Sequence, residues 1–315
     1  MKRSDYHIPV LVHEVLDLLS IKENGTYLDG TLGGGGHFRA FADRLSEKGT
    51  IIGIDRDSQA LDNISSRISN LKPKVVLQKS RFASFDQVLE DNGIGKLDGV
   101  LVDLGVSSKQ IDAAERGFSY MQEADLDMRM DQSEGITARE LLKSVDEGEL
   151  ARILGEYGEI RNPQRMAGVI KEYLKQHEIN TSSDLRACIE SEYGKNIKIQ
   201  IFAKLFQALR IAVNRELEEL QVFLAKSVKF LAAGGRLAVI SYHSLEDRIV
   251  KEFIREAEES CICPPELPVC SCSKPVYLKR VNRKAVTASE QEIAVNPRSR
   301  SARLRVAERT ETELV

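Results

Sequence analysis

From residue 7 to residue 104, short apolar runs alternate with segments whose apolar positions recur at helical spacing. The elements that this pattern predicts are a helix at 7–19, a strand at 26–28, a strand at 50–55, a helix near 58–70, a strand at 74–78, a helix near 83–91 and a strand at 97–104. Strands that alternate with helices are typical of a doubly wound parallel sheet. We therefore expect an α/β fold.

Beyond the fourth predicted strand, the pattern changes to helix signals without strands. The segment 137–140 (TARE) is a capping box, Asn162 followed by a proline and Thr181 are further helix starts, and Gly158 and Gly194 stand where helices are expected to stop. We expect an all-helical insertion domain over residues 112–200. The sheet domain then consists of two parts, residues 1–111 and 201–315.

The segment 200–233 carries apolar residues at near-helical spacing, which predicts one long helix or two helices joined near Asn214. We expect Gly234 and Gly235 to end this segment. Three further strands are predicted at 236–241, 276–278 and 302–306. A helix follows the first of them, and Ser244 with Asp247 is the predicted cap.

The stretch after the first strand contains four consecutive glycines, Gly33 to Gly36, between Asp29 and a predicted helix. Glycine allows a sharp turn and lets a ligand approach the backbone, and the helix start offers unpaired N–H groups. Two later strands also end in acids, Asp55 and Asp103. Because parallel strands end at one edge of a sheet, these acids and the loop predict half of an adenosine pocket; a flexible surface turn is the alternative for the glycines alone.

A dinucleotide fingerprint requires a third glycine, but Phe38 or Arg39 occupies that position. S-adenosylmethionine has no phosphate and needs only close backbone contact to its amino-acid part. The acid, the glycine cluster and the second acid resemble the pattern of class I methyltransferases. A nicotinamide-dependent oxidoreductase, which shares the sheet and Asp55, is therefore disfavoured.

Composition and charge narrow the class of protein. The chain has 315 residues, 42% hydrophobic and 30% charged, which is enough for a soluble protein with one large and one smaller domain. No apolar run is long enough for a membrane span and no signal-peptide core follows Met1, so we expect a cytoplasmic protein without a membrane partner. Between Lys274 and Arg309, ten basic and three acidic residues give +7, which leaves −10 elsewhere because the total is −3. This segment predicts contact with a phosphate backbone, or a solvated charged tail.

Four of the five cysteines form two Cys-x-Cys pairs, Cys261 with Cys263 and Cys270 with Cys272. Disulfides are rare in a reducing cytosol. A structural metal site and four unbridged thiols both remain open, since Cys-x-Cys is less typical of zinc than Cys-x-x-Cys.

Several longer motifs together resemble one family, the bacterial 16S ribosomal RNA (cytosine-N4)-methyltransferases. The matching stretches run from end to end of the chain: 7–11 (HIPVL), 29–37 (DGTLGGGGH), 54–57 (IDRD), 103–108 (DLGVSS), 115–119 (ERGFS), 126–131 (LDMRMD), 241–248 (SYHSLEDR) and 296–301 (NPRSRS). The resemblance implies a seven-stranded methyltransferase sheet with a helical substrate domain, S-adenosylmethionine as cofactor, and 16S ribosomal RNA of the small subunit as partner. A homodimer is left open.

The resemblance also implies the site residues. The cofactor-binding residues that we expect from the glycine loop and the resemblance are Gly34, Gly35, Gly36, His37, Asp55, Phe82, Asp103 and Gln110. Phe82 could stack on adenine or belong to the core. Many amino-group methyltransferases carry an Asp/Asn-Pro-Pro-aromatic motif at the fourth strand, whereas residues 103–106 here read DLGV, so their catalytic residues cannot be transferred.

We expect Asp103 and His243 to be the catalytic residues. Cytosine N4 is a poor nucleophile, and an acceptor for its N–H, for which Asp103 is the first candidate, favours transfer. His243, with Tyr242, is a candidate to hold the base, or a packing or capping residue. Lys195, Lys198 and the basic run 298–305 are expected to contact RNA. A non-catalytic ribosome-binding factor that retains a nucleotide pocket is the alternative function.

Overall fold

The computed structural model describes residues 9–106, 111, 113, 116–121, 123–261, 263, 272 and 274–313. His7 and the rest of the first eight residues lie outside this set. The strands are β1 (Thr26–Asp29), β2 (Thr50–Asp55), β3 (Lys74–Lys79), β4 (Leu97–Asp103), β5 (Leu231–Ser241), β6 (Leu278–Arg280) and β7 (Arg303–Arg309). The α-helices are α1 (Val12–Leu19), α2 (Gly36–Ala42), α3 (Ser58–Ser65), α4 (Phe85–Asp91), α5 (Ala138–Ser144), α6 (Glu147–Glu156), α7 (Pro163–Tyr173), α8 (Ser182–Tyr193), α9 (Ile199–Asn214), α10 (Glu216–Phe230), α11 (Ser244–Glu258) and α12 (Glu290–Val295).

All seven strands belong to one sheet with the order β3-β2-β1-β4-β5-β7-β6. The first five strands pair in parallel, and β7 pairs antiparallel with both β5 and β6. The predicted seven-stranded α/β sheet is therefore confirmed. Because β2 and β4 both flank β1, the carboxyl ends of these three strands meet at one edge, where open α/β sheets bind ligands.

The central parts of β1, β2 and β4 are mainly apolar because both faces of the sheet are covered. Alternate residues enter two different cores: Leu28 and Ile52 pack in one, and Tyr27 and Ile51 in the other. These side chains are fully buried. The continuous apolar runs of the sequence thus report two-sided burial rather than a half-exposed sheet.

The strand predicted at 236–241 is longer in the structure and begins at Leu231, directly after the preceding helix. The long helical segment is two helices, α9 and α10, separated at Arg215 in left-handed conformation, which confirms the predicted joint near Asn214. However, α10 ends at Phe230, and Gly234 and Gly235 lie inside β5 rather than ending the helix. They fall where the pairing register with β4 shifts between Leu97 and Gly99, so they lie in an irregular part of the strand pair.

The chain divides into two compact units, a sheet unit of Met1–Gly105 and Leu217–Val315 and a helical unit of Val106–Glu216. The observed boundaries differ from the predicted 112–200, mainly because α9 belongs to the helical unit. Its Phe202 and Leu205 are buried in the core of that unit. Thr137 forms the predicted capping box of α5, and Thr181, a predicted helix start, forms a capping box at α8.

None of the helices in the described part of the chain is both long and apolar enough for a membrane span.

The N-terminal helix is shorter than predicted. It begins at Val12, and its preceding residue Leu11 adopts the left-handed conformation with φ of 54° while its N–H donates to Glu292 Oε1 over 2.8 Å. This bond connects the start of α1 to α12.

Candidate active site

Three carboxylates converge at the carboxyl ends of β1, β2 and β4. Asp29, Asp55 and Asp103 each form the last residue of their strand. Burial is the main cause of the raised pKa of Asp29, and the nearby negative charges of Asp103 and Asp55 contribute in the same direction. The predicted meeting of the acids at one sheet edge is confirmed.

The glycine loop closes over this edge through hydrogen bonds to β2. The Gly33 N–H donates to Asp55 Oδ2 over 2.8 Å, and the Leu32 N–H donates to the Ile54 carbonyl over 3.0 Å. Gly33 and Gly35 have positive φ of 46° and 77°, a conformation that side chains disfavour. A Cβ on Gly35 would lie 1.9 Å from Ile64 Cδ1 of α3. The positive φ at position 35 and the closeness of Ile64 therefore both require a glycine there.

Asp103 is held on two sides and open on one. Its backbone N–H donates to Thr31 Oγ1 over 2.6 Å, and its Oδ1 accepts the Tyr242 hydroxyl over 2.8 Å. Its Oδ2 lies 3.8 Å from His37 Nδ1, too far for a hydrogen bond, and 19% of its side chain is exposed. Among the described residues, none donates a hydrogen bond to Oδ2. This oxygen is available to a ligand or substrate.

His37 supports the loop without neutralising Asp103. Its buried Nε2 donates to the Val10 carbonyl over 2.9 Å, which leaves Nδ1 as the unprotonated nitrogen of the neutral ring. Burial lowers the pKa of His37, so the ring is neutral at physiological pH. The nitrogen that faces Asp103 therefore carries no positive charge.

Burial is the main cause of the shifted pKa values of the three carboxyl groups at this sheet edge. It raises the pKa of Asp103 to about 7 and that of Asp29 to about 6, and it also raises the pKa of Asp55. The Tyr242 hydrogen bond acts in the opposite direction on Asp103. Burial and the adjacent Asp103 raise the pKa of Tyr242, which stays protonated and donates. Asp103 can thus exchange a proton near neutral pH.

His243 has a local role at the start of α11. Its Nδ1 accepts the Glu246 N–H over 3.4 Å, and the buried Glu246 accepts the Tyr242 N–H over 2.8 Å. The predicted cap by Ser244 and Asp247 is wrong, because Ser244 is already the first helical residue. His243 Nε2 lies 3.1 Å from Glu246 Oε1 but is not aligned with any acceptor among the described residues. The catalytic role predicted for His243 stays a prediction, and the contacts seen here are those of a helix cap.

The other predicted cofactor residues fall in different places. Gly34 and Gly36 lie in the loop and at the start of α2. Phe82 is 8% exposed, and its ring packs edge-on against Phe223 at 5.6 Å, so much of the ring serves the core. Gln110 lies outside the described residues. The contacts of these residues with a cofactor stay predictions.

Sequence reasoning missed the parts of the site that depend on contacts between elements. Thr31 connects two strand ends, because its N–H donates to Asp29 Oδ1 over 3.2 Å while its hydroxyl accepts from Asp103. Glu246 is 2% exposed and fixes the backbone of Tyr242. An Asp-Gly-Thr turn directly after a strand was the only sequence signal for Thr31.

A separate cavity of about 230 Å³ lies on the α3 side of the glycine loop. The residues that line it are Gly34, Gly35, Phe38, Arg39, Ile64, Arg67, Ile68 and Leu71. It includes none of the three acids. This cavity is therefore distinct from the group of acids at the sheet edge.

The basic C-terminal segment is partly neutralised within the protein. Arg305 donates to both Asp247 oxygens, at 2.7 and 3.1 Å, and Arg303 donates to the same carboxylate at 3.2 Å. The buried Arg309 donates to backbone carbonyls. Arg300 is exposed on the short 3₁₀ helix Pro297–Ser301. The predicted RNA contact over 298–305 stays a prediction, and within this run Arg303 and Arg305 are already paired with Asp247.

Comparison with known proteins decides between a methyltransferase and a nicotinamide-dependent oxidoreductase. The model of the MraW methylase family matches residues 4–310. The chain belongs to the MraW methylase family. A relative from Heliobacterium mobile, named ribosomal RNA small subunit methyltransferase H, is 47% identical and covers 96% of this chain and 99% of its own length. Relatives of the same name from Clostridioides difficile and Fusobacterium nucleatum are 42% and 41% identical, and the alignments cover 96–97% of this chain and 98–99% of theirs.

Membership in the MraW methylase family confirms the resemblance drawn from the motifs and makes S-adenosylmethionine the cofactor. The residues of the sheet edge fit this cofactor. The Gly35 position leaves no room for a Cβ, Asp55 already orients the loop, and the open Asp103 Oδ2 offers an acceptor to a cationic or amino group. The nicotinamide-dependent alternative is not supported.

Proposed function

We propose that this protein transfers the methyl group of S-adenosylmethionine to the N4 amino group of a cytidine in the decoding region of 16S ribosomal RNA. The observation that carries the proposal is the position of Asp103 at the edge of the glycine loop. Thr31 accepts its backbone N–H, Tyr242 donates to its Oδ1, and no described residue donates to its Oδ2. The name that the relatives share supports ribosomal RNA of the small subunit as the substrate.

When bound, S-adenosylmethionine supplies a methyl group that its sulfonium already activates. The protein then has to orient the nucleophile, exclude water and accept a proton. Asp103 Oδ2 accepts a hydrogen bond from the cytosine amino group and takes the proton that this nitrogen loses when it gains the methyl group. Tyr242 keeps Oδ1 occupied, so that the open oxygen faces the substrate. For His243 we propose a role in holding the base, in addition to its role as the cap of α11.

We expect Tyr242→Phe to shift the pH dependence of the reaction upward. The Tyr242 hydroxyl stabilises the carboxylate of Asp103, so its removal raises the pKa of Asp103 above about 7. A reaction that needs the carboxylate rises with pH, and its midpoint then moves up by roughly one to two pH units. The measurement is kcat/KM for the cofactor against pH, which reports the free enzyme. Tyr173→Phe in the helical unit is the control, and an unchanged midpoint in Tyr242→Phe would contradict the role of this bond.

The RNA contacts are proposed from exposed positive charge. Lys195 and Lys198 are exposed in the helical unit, residues 106–216, which we propose as the RNA-recognition domain. Arg300 is exposed in the sheet unit. To enter the site, the target cytosine has to leave its stack, as base-modifying enzymes require.

We expect Arg300→Ala to weaken RNA binding at low salt by about threefold to tenfold and to reduce the slope of log K against log salt by about one, because one phosphate contact is lost. Filter binding to 16S ribosomal RNA over a salt series measures both quantities. Arg44→Ala, another exposed arginine outside the basic segment, is the matched control. Equal binding by the two variants would remove Arg300 from the interface.

The experiment for the proposed function is the transfer of a labelled methyl group to small ribosomal subunits that lack the modification, followed by nucleoside analysis. Label in N4-methylcytidine supports the proposal, and label in a different nucleoside contradicts the assigned atom. Cofactor binding without any transfer would favour the non-catalytic RNA-binding factor, which family membership does not favour. A cytoplasmic location is proposed with the ribosomal substrate, and a homodimer stays a prediction.

A further inference from the structure

Three cysteines come together between α11 and β6, on a part of the sheet unit that the proposed reaction does not use. The Sγ atoms of Cys261, Cys263 and Cys272 all lie within 4.8 Å of one another. Cys261 follows the end of α11 at Glu258, and Cys272 precedes β6, which begins at Leu278. The chain thus returns to the end of the helix and brings thiols from both sides of the connection together.

The spacing of these sulfurs suits coordination to one ion. With Zn–S bonds of about 2.3 Å, two thiolates of a tetrahedral site stand about 3.8 Å apart. A disulfide instead requires about 2.05 Å between sulfurs, and no disulfide joins any two of these three described cysteines. Separations within 4.8 Å are close to the first value, so only a small contraction is required for ligation.

A backbone donor beside the sulfurs favours the thiolate of Cys261, the form that binds metal. The Cys263 N–H points at Cys261 Sγ over 3.4 Å, and such a donor stabilises negative charge on sulfur. Arg255 and Arg280 line the same cavity as Cys261, and they pair there with Glu259 and Glu258, so the cavity wall carries matched charges. Cys188 is a useful contrast, because burial in the helical unit raises the pKa of its thiol to about 12.

We propose that Cys261, Cys263 and Cys272 bind a structural zinc ion. Thiolates select soft or borderline cations such as Zn²⁺ over Mg²⁺ or Ca²⁺, and zinc needs no redox partner in a reducing compartment. The ion connects the end of α11 to the segment that leads into β6, and so it fixes a connection that crosses from helix to sheet edge. Cys270 lies outside the described residues and is not part of the assignment.

The test measures metal in the full-length protein, purified under reducing conditions without chelator or a histidine tag. We expect about one zinc ion per chain by elemental mass spectrometry. In both Cys263→Ala and Cys272→Ala, we expect the zinc content per chain to fall at least tenfold. Cys188→Ala, the matched control, is expected to keep the metal. Binding of S-adenosylmethionine by each variant checks that the sheet unit is still folded.

A second measurement does not depend on the variants. After zinc is removed from the unmodified protein by a chelator, stoichiometric uptake of cobalt(II) should produce the intense near-ultraviolet absorption of thiolate-to-cobalt charge transfer. Absence of zinc in the purified protein together with absence of this absorption would overturn the proposal. Retention of full zinc content in Cys263→Ala and Cys272→Ala, or discovery of a disulfide between these cysteines in the protein as isolated, would overturn it as well.

Discussion

Asp103→Asn is expected to reduce kcat for methyl transfer by about 10²- to 10⁴-fold, the range in which a general base contributes. Asparagine has the same shape and can still accept the Tyr242 hydroxyl bond at its oxygen. Its amide nitrogen then replaces Oδ2 and presents N–H groups, which neither accept the substrate amino hydrogen nor take its proton. The substitution therefore removes the proposed acceptor and leaves the packing of the site in place.

The assay is single-turnover transfer at saturating cofactor, with the cofactor Kd measured separately by calorimetry. Asp98→Asn, at the opposite end of the same strand, provides the control, since Asp98 pairs with Lys22 at 2.9 Å away from the glycine loop. If Asp103→Asn weakened cofactor binding and left the rate at saturation unchanged, Asp103 would be a cofactor ligand rather than the proton acceptor.

Gly35→Ala is expected to have the second-largest effect, a loss of cofactor affinity of at least about tenfold and a decrease in the free energy of unfolding of about 2–4 kcal/mol. The left-handed backbone, with φ of 77°, accounts for about 1 kcal/mol of this change. The rest comes from the new Cβ, which would meet Ile64 Cδ1 at 1.9 Å and Cγ1 at 2.8 Å. Either α3 or the loop has to move, and the loop is the part that approaches the cofactor.

Gly93→Ala separates these two causes. Gly93 has φ of 67°, and a Cβ added to it would meet no heavy atom of the described residues within 4 Å, so this variant carries the backbone cost of about 1 kcal/mol alone. Denaturant unfolding and calorimetric cofactor titration measure both variants. Adding Ile64→Val to Gly35→Ala removes the nearest methyl group and should restore part of the affinity. Equal effects of Gly35→Ala and Gly93→Ala would show that the contact with α3 is unimportant.

The sequence predicted the parts of the fold and site that depend on local pattern. Asp29, Asp55 and Asp103 could be placed at one sheet edge because each follows an apolar strand, and parallel strands end together. The positive φ of Gly33 and Gly35 also agrees with the expected tight loop. In both cases the signal lies within a few consecutive residues.

The parts that could not be predicted depend on tertiary contacts. Tyr242 was a candidate to hold the base, but its hydroxyl reaches across to Asp103 from the neighbouring strand, and no spacing in the sequence encodes that contact. Asp247 looked like a helix cap and instead binds Arg305 of β7, which is distant in sequence. Likewise, α9 has the periodicity of any amphipathic helix, and only its packing partners assign it to the helical unit.

The interior position of β7 has a consequence for biosynthesis. β7 follows β5 and β6 in the chain and leaves the ribosome after both, yet it pairs with β5 on one side and β6 on the other. Until residue 309 has been translated, β5 presents an open edge and β6 has no partner in the sheet. An unpaired edge is a template for association with other chains. We therefore expect a nascent chain that pauses before this point to be more prone to aggregation than one in which β7 has been made.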